Sequence, residues 1–306
     1  MNKSTKFEIL LLLVAFIWGV GFPVTKIAVQ YGFGPFAILA GRFVIASILL
    51  SVIFRKNLRK IDKRHIKYGL FAGIFLFTSF SFQTVGILYT TPSKNAFITQ
   101  MMVILVPFFY WMLYKKRPSK YAFIGAFLAL AGGLILTFNS DFTSGINKGD
   151  MLTFVCAILC AVHIIASAHF AKKEGVDAIA FTMVQFYLAA VLSLGIALVN
   201  HEVPRVTLIK WWPLLFMGIL NTGIGFTLQT FAHKHSTPTK SSIIVSTEAV
   251  FGSIASVLIV GEVLTAQLVI GGFLIFNAVL MVETKYSFLR KMLKFKYKII
   301  QPHCDH

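Results

Sequence analysis

Glu248 stands out as a residue able to do chemistry in a hydrophobic setting. Of eleven acidic residues, it alone lies well inside an apolar run, behind Ser246 and Thr247. A charge at the centre of a membrane helix costs about 2.5–3.5 kcal/mol on insertion scales, so such a group faces a cavity or a partner. There it could carry a proton, bind an amine, or pair internally with a basic residue or a neighbouring helix. Arg42 lies about a third of the way into another apolar run. It could attract a carboxylate substrate, snorkel to the outer interface, or pin a nearby backbone. Lys26, at the end of the first run, invites the same snorkelling reading. Gln83 and Gln229 lie inside apolar runs, as amides able to hydrogen-bond across helices or to line a shared cavity. Thr222, Phe226 and Gln229 share one helix face at spacings of four and three, with Asn221 bordering it. That face mixes polar and aromatic character, as a small-metabolite cavity would. Trp18 precedes Gly19, Gly21 and Pro23, a cluster that either bends helix 1 into a gate or forms a notch for close helix contact.

Other groups carry less chemistry. Cys156, Cys160 and His163 have a helical Cys-x3-Cys-x2-His spacing, but no fourth ligand for a metal is evident, and core thiols with a hydrogen-bonded histidine explain them. No phosphate loop, nucleophile elbow or H-E-x-x-H pair occurs, so no cofactor is expected. A polytopic enzyme acting on lipids would gather several His, Asp or Asn residues at one membrane face, and here the acidic residues are sparse and scattered. A scaffold or sensor remains the third class, and it would give no flux of any metabolite.

The elements that must hold these residues follow from composition. Hydrophobic residues make up 57% of the 306, charged ones 13%, and the mean hydropathy is +0.78. A soluble domain carries about 25% charged residues, so the chain reads as an all-α polytopic membrane protein. The net charge of +18 sits in short segments between apolar runs, which argues for cytoplasmic loops and against nucleic acid. The three cysteines form no disulfide framework. The first apolar run continues past Trp18 and Pro23 without a small-residue cleavage site, as an uncleaved helix does. Spans of about 20 residues are expected near 8–28, 35–54, 68–89, 94–114, 119–138, 149–171, 178–200, 210–232, 240–260 and 264–283.

Residues 80–94, FSFQTVGILYTTPSK, recur as 226–240, FTLQTFAHKHSTPTK, at an offset of 146. Phe80, Gln83, Thr84, Thr91, Pro92 and Lys94 fall on Phe226, Gln229, Thr230, Thr237, Pro238 and Lys240. A long internal period of this kind marks duplication. It divides the chain into a five-helix repeat at 8–138, a second at 149–283, and a basic tail at 284–306, with a polar linker between the repeats. With the N-terminus inside, cytoplasmic segments hold 23 of the 29 Lys and Arg, which places both termini in the cytoplasm. The tail's lysines should lie on the anionic inner leaflet. Five helices per repeat is an odd number, so the second copy enters from the opposite side. Ten transmembrane helices as two inverted five-helix repeats form the architecture of many secondary transporters, with the substrate near the midplane. Glu248 falls on Met102, so its role is asymmetric between the halves.

In order and spacing these residues resemble the EamA family of the drug/metabolite transporter superfamily over nearly all of 8–283. Trp18-Gly19-x-x-Phe22-x-x-x-Lys26 and Arg42-Phe43 resemble its helices 1 and 2. Tyr89-Thr90-Thr91 with Ala96 and Pro107 resembles helices 3 to 4, and Ser236-Thr237-Pro238-Thr239, Glu248, Gly261-Glu262 and Leu264-Thr265 resemble helices 8 to 10. The resemblance implies export or exchange of small metabolites such as amino acids across a bacterial inner membrane. Two departures stand out: Ala249 replaces the usual proline after the glutamate, and Lys115-Lys116-Arg117-Pro118 replaces a Gly-Glu pair in the first half. The cavity is expected between helices 1, 3, 4, 6, 8 and 9, lined by Trp18, Gln83, Thr222, Phe226, Gln229 and Glu248, with Arg42 and Glu248 as its charged groups. Its partner is a small-molecule substrate, and the oligomeric state is left open.

Overall fold

In the computed structural model, residues 3–115, 117–137, 147–171, 173–233 and 244–284 are described. The second Thr-Pro turn (Thr237-Pro238) with Lys240, most of the linker, and the basic tail lie outside them. The main helices are α1 (Lys3–Gln30), α2 (Pro35–Ile53), α3 (Lys63–Gly86), α4 (Pro92–Tyr114), α5 (Lys120–Thr137), α6 (Lys148–Phe170) and α7 (Ala178–Val199). The composite α8 runs from a 3-10 turn at Leu208–Trp211 through Trp212–Leu215 and a π-helical segment Phe216–Ile224 to Gly225–His233. α9 (Glu248–Val260) and α10 (Ala266–Thr284) complete the order. Among the described residues, seven helices are long and apolar enough to cross a membrane, namely α1 to α4 and α6 to α8. α5, α9 and α10 are shorter apolar helices.

Helix starts follow local chemistry. Gly34 and Pro35 open α2, where proline's missing donor costs nothing, and Glu202 Oε2 accepts from the Phe36 and Ala37 amides at 2.6 and 3.1 Å. Thr91 caps α4 ahead of Pro92. α3 begins at Lys63, five residues before the expected 68, because Asp62 accepts from the Arg64 and His65 amides and fixes the first turn. The connection expected at 55–67 also contains a helical turn, Arg55–Leu58. Gly261 ends α9 at φ +68, a left-handed position that suits glycine.

Side chains such as Leu258 (79% exposed), Val199 (78%) and Phe127 (73%) face outward, an arrangement that suits hydrocarbon and not water. Inside, one apolar cluster joins α4, α5, α9 and α10 around Phe97, Met101 and Ile275, and another joins α2, α3 and α7 around Phe43, Leu76 and Phe186. α1 stays helical through Pro23. The notch reading fits its glycines: a Cβ on Gly19 would stand 2.7 Å from the Glu248 carbonyl oxygen and 2.8 Å from the Gly252 nitrogen. Backbone on backbone leaves nothing to yield. Gly19→Ala is therefore expected to cost about 1–3 kcal/mol of overpacking strain. Gly195→Ala, where nothing lies within 4 Å of the added carbon, should cost nothing. Melting temperatures in detergent compare the two.

At the α6–α7 end, Asp177 caps α7 and also accepts from Asn57 at 3.0 and 3.1 Å and from Lys60 at 2.8 Å. The Asp177 amide donates to Nε2 of buried His65 at 2.9 Å. Partial burial alone would raise the Asp177 pKa, but Lys60, the Ala180 amide and Asn57 outweigh it and hold the carboxyl at about 2. The folded value is below the ordinary value of about 3.9. The stabilisation is thus complete above pH ~4 and is lost as pH falls through about 2. The melting-temperature gap between the native protein and Asp177→Asn should accordingly close between those pH values.

Candidate functional site

The centre of the helix bundle is built on α2 and α8. Arg42 is buried, and its guanidinium does not run to an interface. Nε donates to Thr222 Oγ1 and Nη2 to Asn221 Oδ1, each at 2.6 Å, while its plane lies 4.3 Å over the Phe80 ring. Thr222 and Asn221 are adjacent in sequence, and in a regular α-helix their side chains diverge by about 100°. Both belong to the π-helical segment of α8, a wide turn common at functional sites. Here the two neighbours reach one guanidinium. Asn221 does more: its carbonyl oxygen accepts from the Trp18 indole at 2.8 Å, and its Nδ2 donates to the Ile17 carbonyl at 3.0 Å. It couples α1, α2 and α8. α1 approaches closely enough that a Cβ on Gly21 would collide with the Asn221 amide.

An aromatic wall surrounds this fork. Trp18 packs on Phe226 (centroids 5.2 Å), Phe226 on Phe186 (5.3 Å), Phe186 on Phe43 (5.7 Å), and Phe43 on Phe80 (5.6 Å). Trp18, Phe80 and Phe226 are only half-buried.

Glu248, at the start of α9, is 5% exposed and accepts from Gln100 Nε2 of α4. Arg42 and Glu248 attract one another through space without closing an ion pair within 4.0 Å. The Gln100 Oε1 atom is buried and unpaired. Cys160 of α6 lies near enough for charge on its sulfur to act on Glu248.

The structure thus joins Trp18, Arg42, Thr222 and Phe226 directly, with Glu248 facing them. Gln83 lies on α3, half-buried, where Nε2 donates to Thr99 Oγ1 of α4 at 3.2 Å. Gln229 is half-buried one turn beyond Phe226. Lys26 does not snorkel: its Nζ donates to the carbonyls of Ile87 and Thr90 at 2.7 and 3.1 Å. His163 Nε2 lies 2.7 Å from Gln185 Oε1 and 3.1 Å from Ser167 Oγ, and the sulfurs of Cys156 and Cys160 are 3.8 Å apart. Among the described residues no three His, Cys, Asp or Glu side chains converge as metal ligands. Sequence reasoning missed Gln100 altogether and gave Asn221 only a border position. A polar side chain interrupting an apolar run was the one available sign of each. A separate apolar cavity of about 260 Å³ lies between α4, α9 and α10, lined by Phe97, Ser253, Leu258 and Leu268 among others, away from this cluster.

The sequence model of the EamA-like transporter family matches residues 5–138 and again residues 147–284. An "Uncharacterized transporter" of Archaeoglobus fulgidus is 32% identical over 275 residues, covering 90% of this chain and 85% of that protein. The "Uncharacterized transporter YyaM" of Bacillus subtilis is 26% identical over 308 residues, covering 93% and 97%. A protein of known crystal structure superposes with a TM-score of 0.66 over 94% of this chain and 99% of its own, at 19% identity, which is a likeness of fold.

Proposed function

The chain belongs to the EamA-like transporter family, and on that premise we propose that it is a secondary exporter or exchanger of a small metabolite such as an amino acid. It works by alternating access around the Arg42–Glu248 cluster. Ten spans form two inverted five-helix repeats in a bacterial inner membrane, with both termini in the cytoplasm.

One observation carries this reading. A buried cation and a buried carboxylate are held near each other, without pairing, by helices from both matched segments. Charged groups inside a membrane mark substrate pathways; in this reading a zwitterion lies between the two, and the half-buried aromatic wall offers an apolar surface for its remainder. Trp18, Gln83, Thr222, Phe226, Gln229 and Glu248 line the cavity, and Arg42 receives the carboxylate.

The packing supports the duplicated arrangement. α3 packs on α6 as α8 packs on α1, α4 on α6 as α9 on α1, and α3 on α7 as α8 on α2. Each pair maps onto its partner under the offset of 146. The self-equivalent pairs α2–α7 and α5–α10 also pack together, as an axis between the halves requires.

Cells with and without the protein, challenged with a panel of toxic metabolites, identify the substrate, and efflux of labelled substrate from preloaded cells gives the direction. Export predicts faster loss from expressing cells. Faster accumulation there would make the protein an uptake permease, and no flux of any metabolite would end the transport reading of this cluster.

A further inference from the structure

The turn joining α3 to α4 is gripped from three sides by charged groups outside the central cluster. From α1, Lys26 donates to the carbonyls of Ile87 and Thr90. From α6, Asp150 accepts from the Thr90 hydroxyl, and its second oxygen lies 3.6 Å from Lys94 Nζ. From the α9–α10 connection, Glu262 Oε2 accepts from the Ser93 amide at 3.2 Å and its hydroxyl at 2.8 Å, and its charge reaches Lys26. Thr90, Ser93 and Asp150 are all buried. Both carboxylates come from the second matched segment, and the turn they hold comes from the first. Charge-assisted hydrogen bonds in a poorly hydrated setting are the strong ones, so this contact resists separation of the two segments at that membrane face.

The sequence makes the grip one-sided. At the offset of 146, the turn's hydroxyls and lysines recur: Thr90 as Ser236, Ser93 as Thr239, Lys94 as Lys240 and Lys26 as Lys172. The two acids do not. Asp150 falls on Ser4 and Glu262 on Lys116. The described set holds two lysines and two carboxylates; by sequence alone, its counterpart positions hold three lysines and no carboxylate. The α2–α7 contact differs, being clamped at both ends: Glu202 holds the start of α2, and Asn57, Lys60 and His65 hold the start of α7.

We propose that Asp150 and Glu262 form a latch on the α3–α4 turn that keeps the mouth on that face shut, so the unloaded transporter rests with its central cluster open to the opposite, cytoplasmic face. This rests on the alternating-access reading above. The latch breaks and reforms once per cycle, and losing one carboxylate shifts the resting balance toward the outer mouth.

Native Cys160, half-buried beside Glu248, is the reporter. A membrane-impermeant sulfonated thiol reagent is added to intact cells or to inside-out vesicles, and labelling of the Cys160 peptide is timed by mass spectrometry. The native protein should label faster from the cytoplasmic face. Glu262→Gln and Asp150→Asn should each speed labelling from outside by about tenfold, the ratio carried by one interaction of about 1.4 kcal/mol. Glu202→Gln should leave it unchanged. An unchanged outside rate in both latch variants, with Cys160 still labelled from the cytoplasmic face, overturns the latch and spares the transport cycle. An equal rise in Glu202→Gln also overturns it, as general loosening. Labelling from neither face in any variant overturns the latch and the alternating-access reading together.

Discussion

Arg42→Ala is expected to abolish transport while the protein still reaches the membrane. The substitution removes the donor to Thr222 and to Asn221, both bonded at 2.6 Å. It strands two acceptors on residues that are 0 and 3% exposed, and each buried unpaired group costs about 1–3 kcal/mol. It also takes away the positive charge that faces Glu248. Arg42→Lys is the more informative variant, because lysine keeps the charge but a compact ammonium cannot reproduce a planar fork. Its initial rate should fall about ten- to a hundredfold, the range spanned by losing one hydrogen bond to a charged group at about 1.5–3 kcal/mol. Initial efflux rates, normalised to membrane protein level, decide the matter. Wild-type flux in Arg42→Lys would mean that charge alone suffices and that the fork is packing.

Glu248→Gln is expected to uncouple transport from the proton gradient without ending it. Glutamine has nearly the shape of glutamate, can still meet Gln100, and cannot ionise. If Glu248 carries one proton per cycle, a gradient of one pH unit sustains about tenfold accumulation, since one pKa unit corresponds to about 1.36 kcal/mol. In proteoliposomes the variant should show no accumulation driven by pH and should retain counterflow of labelled against unlabelled substrate. Accumulation that follows pH as in the native protein would remove Glu248 from coupling.

Much of the scaffold was legible because lipid imposes simple rules. Apolar runs had to be helices, and the Thr91-Pro92 turn marked the start of one. The start of α3 was not legible, because Lys63-Arg64-His65 reads as loop until Asp62 is recognised as a cap. Arg42, Glu248, Trp18, Thr222 and Phe226 could be singled out as polar or aromatic exceptions on helix faces. Their connections could not. Gln100 and Glu248 are 148 residues apart, and no local pattern announces such a pair. Phe43, Phe80 and Phe186 are three among 31 phenylalanines, and only packing separates a wall of the site from the rest of the core. Asn221 was visible only at the border of its face, since its role depends on a helical geometry that apolar periodicity does not encode.

The wide turn at Phe216–Ile224 has a mechanical consequence. A five-residue hydrogen-bond ladder set inside a four-residue one holds one residue of slack, and passing that residue along the helix swivels one end against the other with little loss of backbone bonding. α3, to which α8 corresponds under the offset, is α-helical from Lys63 to Gly86 and holds no such slack. Of the two copies, then, it is the second that can twist at the level of Asn221 while the first stays stiff, and Trp18 and Arg42 would be carried along through the bonds they share with it.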